Sequence, residues 1–365
     1  MKKRLMWVTM IALVLTLALA GCGSKNNEGN NGANSGTTNT GTAENGATNG
    51  ADTETTEGGA NGKDFRIGMA TDVGGVNDKS FNQSAWEGLQ EVEKATGASV
   101  KYLESKGDAD MEPNLNKFVK DGYDLTWGIG FLFADAMKNV ATQNPDAKLA
   151  VIDSTVDAPN VESVTFAEHE GSYLVGVVAG LMTKTNKVGF VGGMDIPVIK
   201  KFEAGFKAGV TAVNPNAEIK INYTGDFSKP DLGKAAAATM YNDGVDIIFH
   251  ASGATGNGVF TEAKDRVKSG NQVWVIGVDK DQSLEFGDEV TLTSMMKGVK
   301  QAVEKVSTDL INGTWAGGTT TVLGLKDNAV GLPETSTKNV PADVLAKVEE
   351  YKQKIVSGEI TVPTE

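Results

Sequence analysis

The feature that most constrains this chain is a strand-then-helix rhythm that runs twice between residue 63 and the C-terminus. Residues 65–70 read as a strand. A polar, glycine-bearing loop follows, then an amphipathic helix over 82–96 whose Ala85, Leu89 and Val92 recur at spacings of three and four. Strands are expected at 100–103, 125–129 and 149–152, with helices over 112–120 and 134–142. The rhythm restarts with a long helix ending near 182. Strands at 188–191, 219–223, 247–250 and 274–277 then alternate with helices over 200–213, 232–242 and 258–269. Such alternation builds parallel sheets with helices on both faces, because each crossover must carry the chain back to the start of the next strand. Two rounds of it predict an α/β chain with two Rossmann-like lobes.

Open parallel sheets bind ligands beyond the carboxyl ends of their strands, so the strand-to-helix junctions are where function should be sought. Here they are polar: the loop 71–82, Gly130-Phe131, Asp153-Ser154, 192–195, 251–258 and 277–280. Two lobes presenting such loops to each other form a cleft that can close on a small molecule.

The N-terminus sets the compartment. Lys2, Lys3 and Arg4 precede an uncharged run from Met6 to Ala20. That run falls short of the roughly 20 apolar residues of a membrane span and suits a secretory signal. It ends in Leu19-Ala20-Gly21-Cys22, which resembles a bacterial lipobox and implies cleavage before Cys22 and lipidation of its sulfur. Cys22 is the only cysteine in the chain, so it has no disulfide partner within it. Residues 22–62 are almost entirely Asn, Gly, Thr, Ser, Ala and Glu. A segment of that composition cannot bury enough apolar surface to fold, and is expected to be a tether with a reach of about 35 Å. The expected location is the extracytoplasmic face of the cell membrane. Without the three basic residues of the signal, the formal charge of −13 becomes −16, which argues against nucleic acid as a partner.

The run Asp-Val-Gly-Gly-Val-Asn-Asp-Lys-Ser-Phe-Asn-Gln-Ser at 72–84 resembles the opening signature of the basic membrane protein lipoproteins, also called purine nucleoside receptor A-like proteins. Glu-Gly-Ser-Tyr-Leu-Val-Gly at 170–176, Gly-Phe-Val-Gly-Gly at 189–193 and Val-Ile-Gly-Val-Asp at 275–279 resemble further family segments. The likeness extends from about residue 65 to about 356. It implies a type I periplasmic-binding-protein fold with a three-crossing hinge, and a monomeric substrate-binding lipoprotein of an ABC importer. The implied partners are a purine nucleoside (adenosine, guanosine or inosine), a permease and an ATPase. The crossings are expected near 166–168, 292–294 and 323–325. That divides the chain into an N-terminal lobe (63–167 and 294–324) and a C-terminal lobe (168–293 and 325–365).

The resemblance also implies a site. A purine is held by stacking, and the positions matching the family's two aromatics are Phe81 and Phe227, both in polar junction loops. Asp279 matches the ribose-binding aspartate, with Lys297 beside it; ionised groups make the stronger hydrogen bonds to hydroxyls. Gly253 allows a close backbone approach. Asp72 and Asn82 are placed to read the purine edge, and Asp153 a further ribose hydroxyl, with Asp135 competing for that role. The bland alternatives are helix caps for the acids, loop packing for the phenylalanines and a solvated helix face for the lysine.

Enzyme readings find little support. Residues 253–258 lack the dinucleotide Gly-x-Gly-x-x-Gly spacing, and no P-loop Gly-Lys-Ser/Thr follows. The two histidines, His169 and His250, have no metal-ligand spacing, and a Gly-x-Ser-x-Gly nucleophile elbow is absent. No catalysis, cofactor or metal is expected. The competing binding function is reception of another polar solute, such as a sugar or sugar-like signal molecule. A DNA-binding regulator of this fold would need a helix-turn-helix where the lipobox and tether stand.

Overall fold

A computed structural model describes residues 61–365 and contains two six-stranded sheets. The expected signal segment, Cys22 and the tether through residue 60 lie outside the described residues. Gly62, expected at the end of the tether, is buried, and its N–H donates to Thr96 O at 2.9 Å.

The chain runs β1 (Arg66–Thr71), α1 (Phe81–Thr96), β2 (Ser99–Glu104), α2 (Asp108–Lys120), β3 (Leu125–Ile129), α3 (Ala134–Gln143), β4 (Leu149–Ile152) and β5 (Val161–Phe166). It then enters α4 (Glu168–Met182), followed by β6 (Lys187–Gly192), α5 (Pro197–Val213), β7 (Glu218–Tyr223), α6 (Pro230–Asn242), β8 (Ile247–Ala251), α7 (Gly256–Lys268), β9 (Trp274–Asp279), α8 (Ser283–Phe286) and β10 (Thr291–Lys297). It closes with α9 (Val299–Ile311), β11 (Thr320–Leu323), β12 (Val330–Gly331) and α10 (Ala342–Val356). One sheet has the order β11-β5-β4-β3-β1-β2 and the other β12-β10-β9-β8-β6-β7. Every pairing is parallel except that of β12 with β10.

The central strands β3, β4 and β8 are buried at every position, as parallel strands covered on both faces should be. The edge strands β2 and β7, Ser-Val-Lys-Tyr-Leu-Glu and Glu-Ile-Lys-Ile-Asn-Tyr, leave most residues partly or fully exposed. Their charges discourage pairing with another chain. Beyond its charged first turn, helix α4 is nearly all apolar, and eleven of its residues from Glu168 to Gly180 are buried, because α5, α10, β10 and β12 all pack on it. Its seam with α5 needs glycine: a Cβ on Gly209 would overlap the Tyr173 carbonyl.

The chain passes between the lobes three times. The first passage follows β5 at Ala167, and the third follows β11 at Gly324. The second differs from the expected 292–294, because β10 stays in the second sheet: Ser294, Met295 and Met296 pair with Gly277, Val278 and Asp279 of β9. Only at Gly298 does the chain leave, and α9 then packs on α1. The buried side chains of β10 fix this boundary, which shifts residues 294–297 into the second lobe. Trp127 of β3 donates to Ser307 Oγ at 3.1 Å and ties α9 to the first sheet.

Candidate functional site

The loop after β1 is shaped by its own acids. Asp78 receives the backbone N–H groups of Ser80 (2.9 Å), Asn82 (2.9 Å) and Gln83 (3.1 Å), satisfying the free donors at the start of α1. The helix-capping role therefore falls to Asp78. Asp72 instead accepts from Gly74 N at 2.9 Å and from Asn82 Nδ2 at 2.7 Å through one oxygen, Oδ1. Asn82 Nδ2 also lies 3.1 Å from Asp78 Oδ2. Its amide hydrogens are thus spent on carboxylates, and Asn82 Oδ1 is buried without a partner. Phe81 opens α1 beside this cluster.

In the second lobe, Phe227 is 9% exposed in the loop before α6. Its ring lies so close to the backbone at the end of β6 that a Cβ on Gly193 would overlap it. Gly253 has φ +54°, the left-handed region open to glycine. Its missing Cβ would stand 3.4 Å from the Phe227 carbonyl.

Two strand ends carry the remaining acids. Asp153 follows β4 and Asp279 ends β9, the fourth strand in chain order of each lobe, and both have φ +65°. Aspartate tolerates that conformation better than most side chains. Lys297 ends β10 with its side chain 1% exposed. The lysine expected beside Asp279 donates instead to Asp153 Oδ2, at 2.6 Å. Its ammonium also lies 5.1, 5.0 and 5.5 Å from the ring centres of Phe81, Phe166 and Phe202. Asp279 Oδ2 accepts the hydroxyl of Ser80 across the cleft. A further interlobe bond runs from Gln282 Nε2 to the Lys79 carbonyl at 2.9 Å, and Lys280 meets Glu87 at 2.6 Å.

Asp72, Phe81, Asn82, Asp153, Phe227, Gly253, Asp279 and Lys297 all line one cavity between the lobes. Its volume is about 60 Å³, smaller than the roughly 300–1,000 Å³ of small-molecule sites. Asp135 is exposed on α3 and takes no part. Also lining the cavity, but missed in sequence, are Asp78 and Ser252, together with Ile196, Val198, Ile199 and Phe202 around the start of α5. Phe202 and Phe206 sit four apart on one helix face and read as ordinary core.

Burial pushes the carboxyls of Asp72, Asp78 and Asp279 up to about 6. It also pushes up Asp153, against the pull of Lys297. Burial works against the Lys297 charge as well, but Asp153, Glu168 and Asp279 together hold its pKa above the usual lysine value. Among the described residues, no group of three or more His, Cys, Asp and Glu side chains is arranged to hold a metal ion. Apolar rings facing a few convergent, buried polar groups are suited to holding a flat, polyhydroxylated solute.

Residues 65–365 match the family described as ABC transporter substrate-binding protein PnrA-like. The chain is 53% identical to a CD4+ T-cell-stimulating antigen of Listeria monocytogenes, over 82% of this chain and 88% of that one. It is 38% identical, over the whole of both chains, to the ABC transporter nucleoside-binding protein BmpA of Lactococcus lactis. Among solved structures, an ABC transporter solute-binding protein from Aeropyrum pernix superposes with a TM-score of 0.76 at 30% identity, covering 82% of this chain and 94% of that one. A transcriptional activator of comK from Bacillus halodurans, with TM-score 0.67 and 22% identity over 82% of this chain and 99% of that one, shares the fold. The chain belongs to the PnrA-like family of ABC transporter substrate-binding proteins.

Proposed function

We propose that this protein is a lipid-anchored receptor that captures purine nucleosides between its lobes and presents them to an ABC permease and its ATPase. The observation that carries the reading is the meeting, in one cavity, of Phe81 and Phe227 from opposite lobes with the buried polar set Asp153, Asp279 and Lys297. The rings supply two apolar faces for a base, and stacking of this kind contributes roughly 1–3 kcal/mol per base. The charged groups supply acceptors and a donor for ribose hydroxyls. The relative from Lactococcus lactis is named for nucleoside binding, which agrees with this assignment. A ligand touching both lobes stabilises the closed arrangement by its differential affinity for it, with the three passages at Ala167, Gly298 and Gly324 as the hinge.

Anchoring rests on Cys22 and the signal-like run before it. The transport reading is tested by denaturing protein purified from its host and identifying the released small molecules by mass spectrometry. A purine nucleoside in stoichiometric amount supports the assignment; a sugar in its place overturns the base sandwich. Metabolic labelling with a fatty-acid probe should mark the parent and not Cys22→Ser. Equal labelling of both would refute the anchor.

A further inference from the structure

Behind the cavity, at the first passage between the lobes, stands an acid to which neither the motif nor the cavity lining assigns a role. Glu168 opens α4 directly after Ala167, and its side chain is 1% exposed. Oε1 lies 3.1 Å from Lys297 Nζ and Oε2 lies 3.3 Å from Lys201 Nζ. Lys201 is also 3.4 Å from the Phe166 carbonyl. A charge chain Asp153–Lys297–Glu168–Lys201 therefore runs from the cavity to the two passages, since Lys297 immediately precedes Gly298. Glu168 itself does not line the cavity.

We infer that Glu168 is a positioning residue for ligand capture, holding the Lys297 ammonium while Asp153 turns its oxygens to the ligand. The inference rests on the nucleoside reading of the cavity. Lys297 donates to Asp153 Oδ2, whereas its contact with Glu168 Oε1 lies outside hydrogen-bonding geometry. Asp153 Oδ1 is buried without a partner. A ribose hydroxyl that engages Asp153 weakens its hold on Lys297, and a small turn of the ammonium then completes a bond to Glu168. Two carboxylates and two ammonium groups balance throughout. Without the Glu168 charge, Lys297 would have no second carboxylate to turn to, and the ligand would have to compete with it for Asp153. Removing one member of a buried charged set leaves the others uncompensated, so the effect should be large.

The test is a double-mutant cycle on full-length protein, with guanosine and adenosine affinities measured by calorimetry for the parent, Glu168→Gln, Lys297→Met and the double variant. Glu168→Gln should weaken binding by tenfold or more, and adding it to Lys297→Met should change little, because Glu168 acts through Lys297. Additive losses would overturn the inference, as would unchanged affinity in Glu168→Gln. Glu168→Asp should recover part of the loss; if Glu168→Gln does not fold, Glu168→Asp enters the cycle in its place. The side-chain ¹⁵N resonance of Lys297 gives a readout independent of ligand. It should shift in the Glu168 variant, because the Glu168 carboxylate stands 3.1 Å from the ammonium in the parent, and an unchanged signal refutes the positioning role. A parent that binds no nucleoside but shows this Lys297 response would sink the nucleoside reading and leave the positioning of Lys297 standing.

Discussion

Asp279→Asn should make the empty protein more stable while destroying its capacity to bind. Asp279 is 6% exposed, and burial lifts its carboxyl from 3.8 to about 6, against the pull of Lys297 and the Ser80 hydroxyl. A group whose folded pKa exceeds its unfolded value binds more protons when folded. Its ionisation therefore destabilises the fold fully above about pH 6; the penalty shrinks as pH falls towards 3.8 and is absent below. The distance from 3.8 to about 6 corresponds to about 3 kcal/mol at neutral pH. Asparagine removes the charge, keeps an oxygen for the Ser80 hydroxyl and tolerates φ +65°. Lys297 loses one neighbouring anion, so the net gain should be about 1–3 kcal/mol. Urea unfolding of ligand-stripped parent and variant at about pH 7.5 and pH 4 measures it. The gain should appear at the higher pH and vanish at the lower. A variant less stable than the parent at pH 7.5, or a gain undiminished at pH 4, would refute the reasoning. Saturating nucleoside should reverse the order, because only the parent gains the stability that binding adds.

Phe81→Ala and Phe227→Ala should each weaken purine nucleoside binding by about 1–3 kcal/mol in calorimetric titration, with ribose binding unaffected; equal loss for ribose would argue against stacking. Base preference should respond to pH. Asn82 has spent its donors on Asp72 and Asp78, so the edge presents acceptors to a base, and an ionised Asp72 suits the N1–H and amino group of guanosine. As pH falls through about 6, Asp72 gains a proton, which guanine N1–H opposes and adenine N1 can accept. The ratio of guanosine to adenosine affinity should therefore fall on acidification, and a constant ratio would contradict the edge assignment. Gly209→Ala drives a Cβ into the Tyr173 carbonyl and should cost about 1–3 kcal/mol of stability as overpacking, read as a shifted urea midpoint.

The sequence made most of the architecture legible, because apolar strands and amphipathic helices differ in period. What it hid is physically specific. Helices α5 and α6 begin at Pro197 and Pro230, a few residues earlier than the apolar stripe suggested, since proline is favoured in the first turn. Strand β5 contains Glu162, Ser163 and Thr165, polar side chains that break the pattern although Glu162 and Ser163 are buried. Strand β12 spans two residues and pairs antiparallel with β10, too short to leave any periodic trace. At the cavity, the loop sequence does not reveal Asp78 as the cap of α1, because that depends on which backbone N–H groups its carboxylate meets. Lys297 lines the cavity, but its partnership with Asp153 and Glu168 joins residues more than a hundred positions apart in the chain. No local pattern announces such a pairing.

The most direct test of the account is calorimetric titration of the refolded, ligand-stripped domain from residue 63 onward against guanosine, adenosine, cytidine and ribose. The account predicts micromolar or tighter binding of a purine nucleoside, abolished by Asp279→Ala and weakened by Phe81→Ala. Binding of ribose or another sugar with no response to any nucleoside would contradict it.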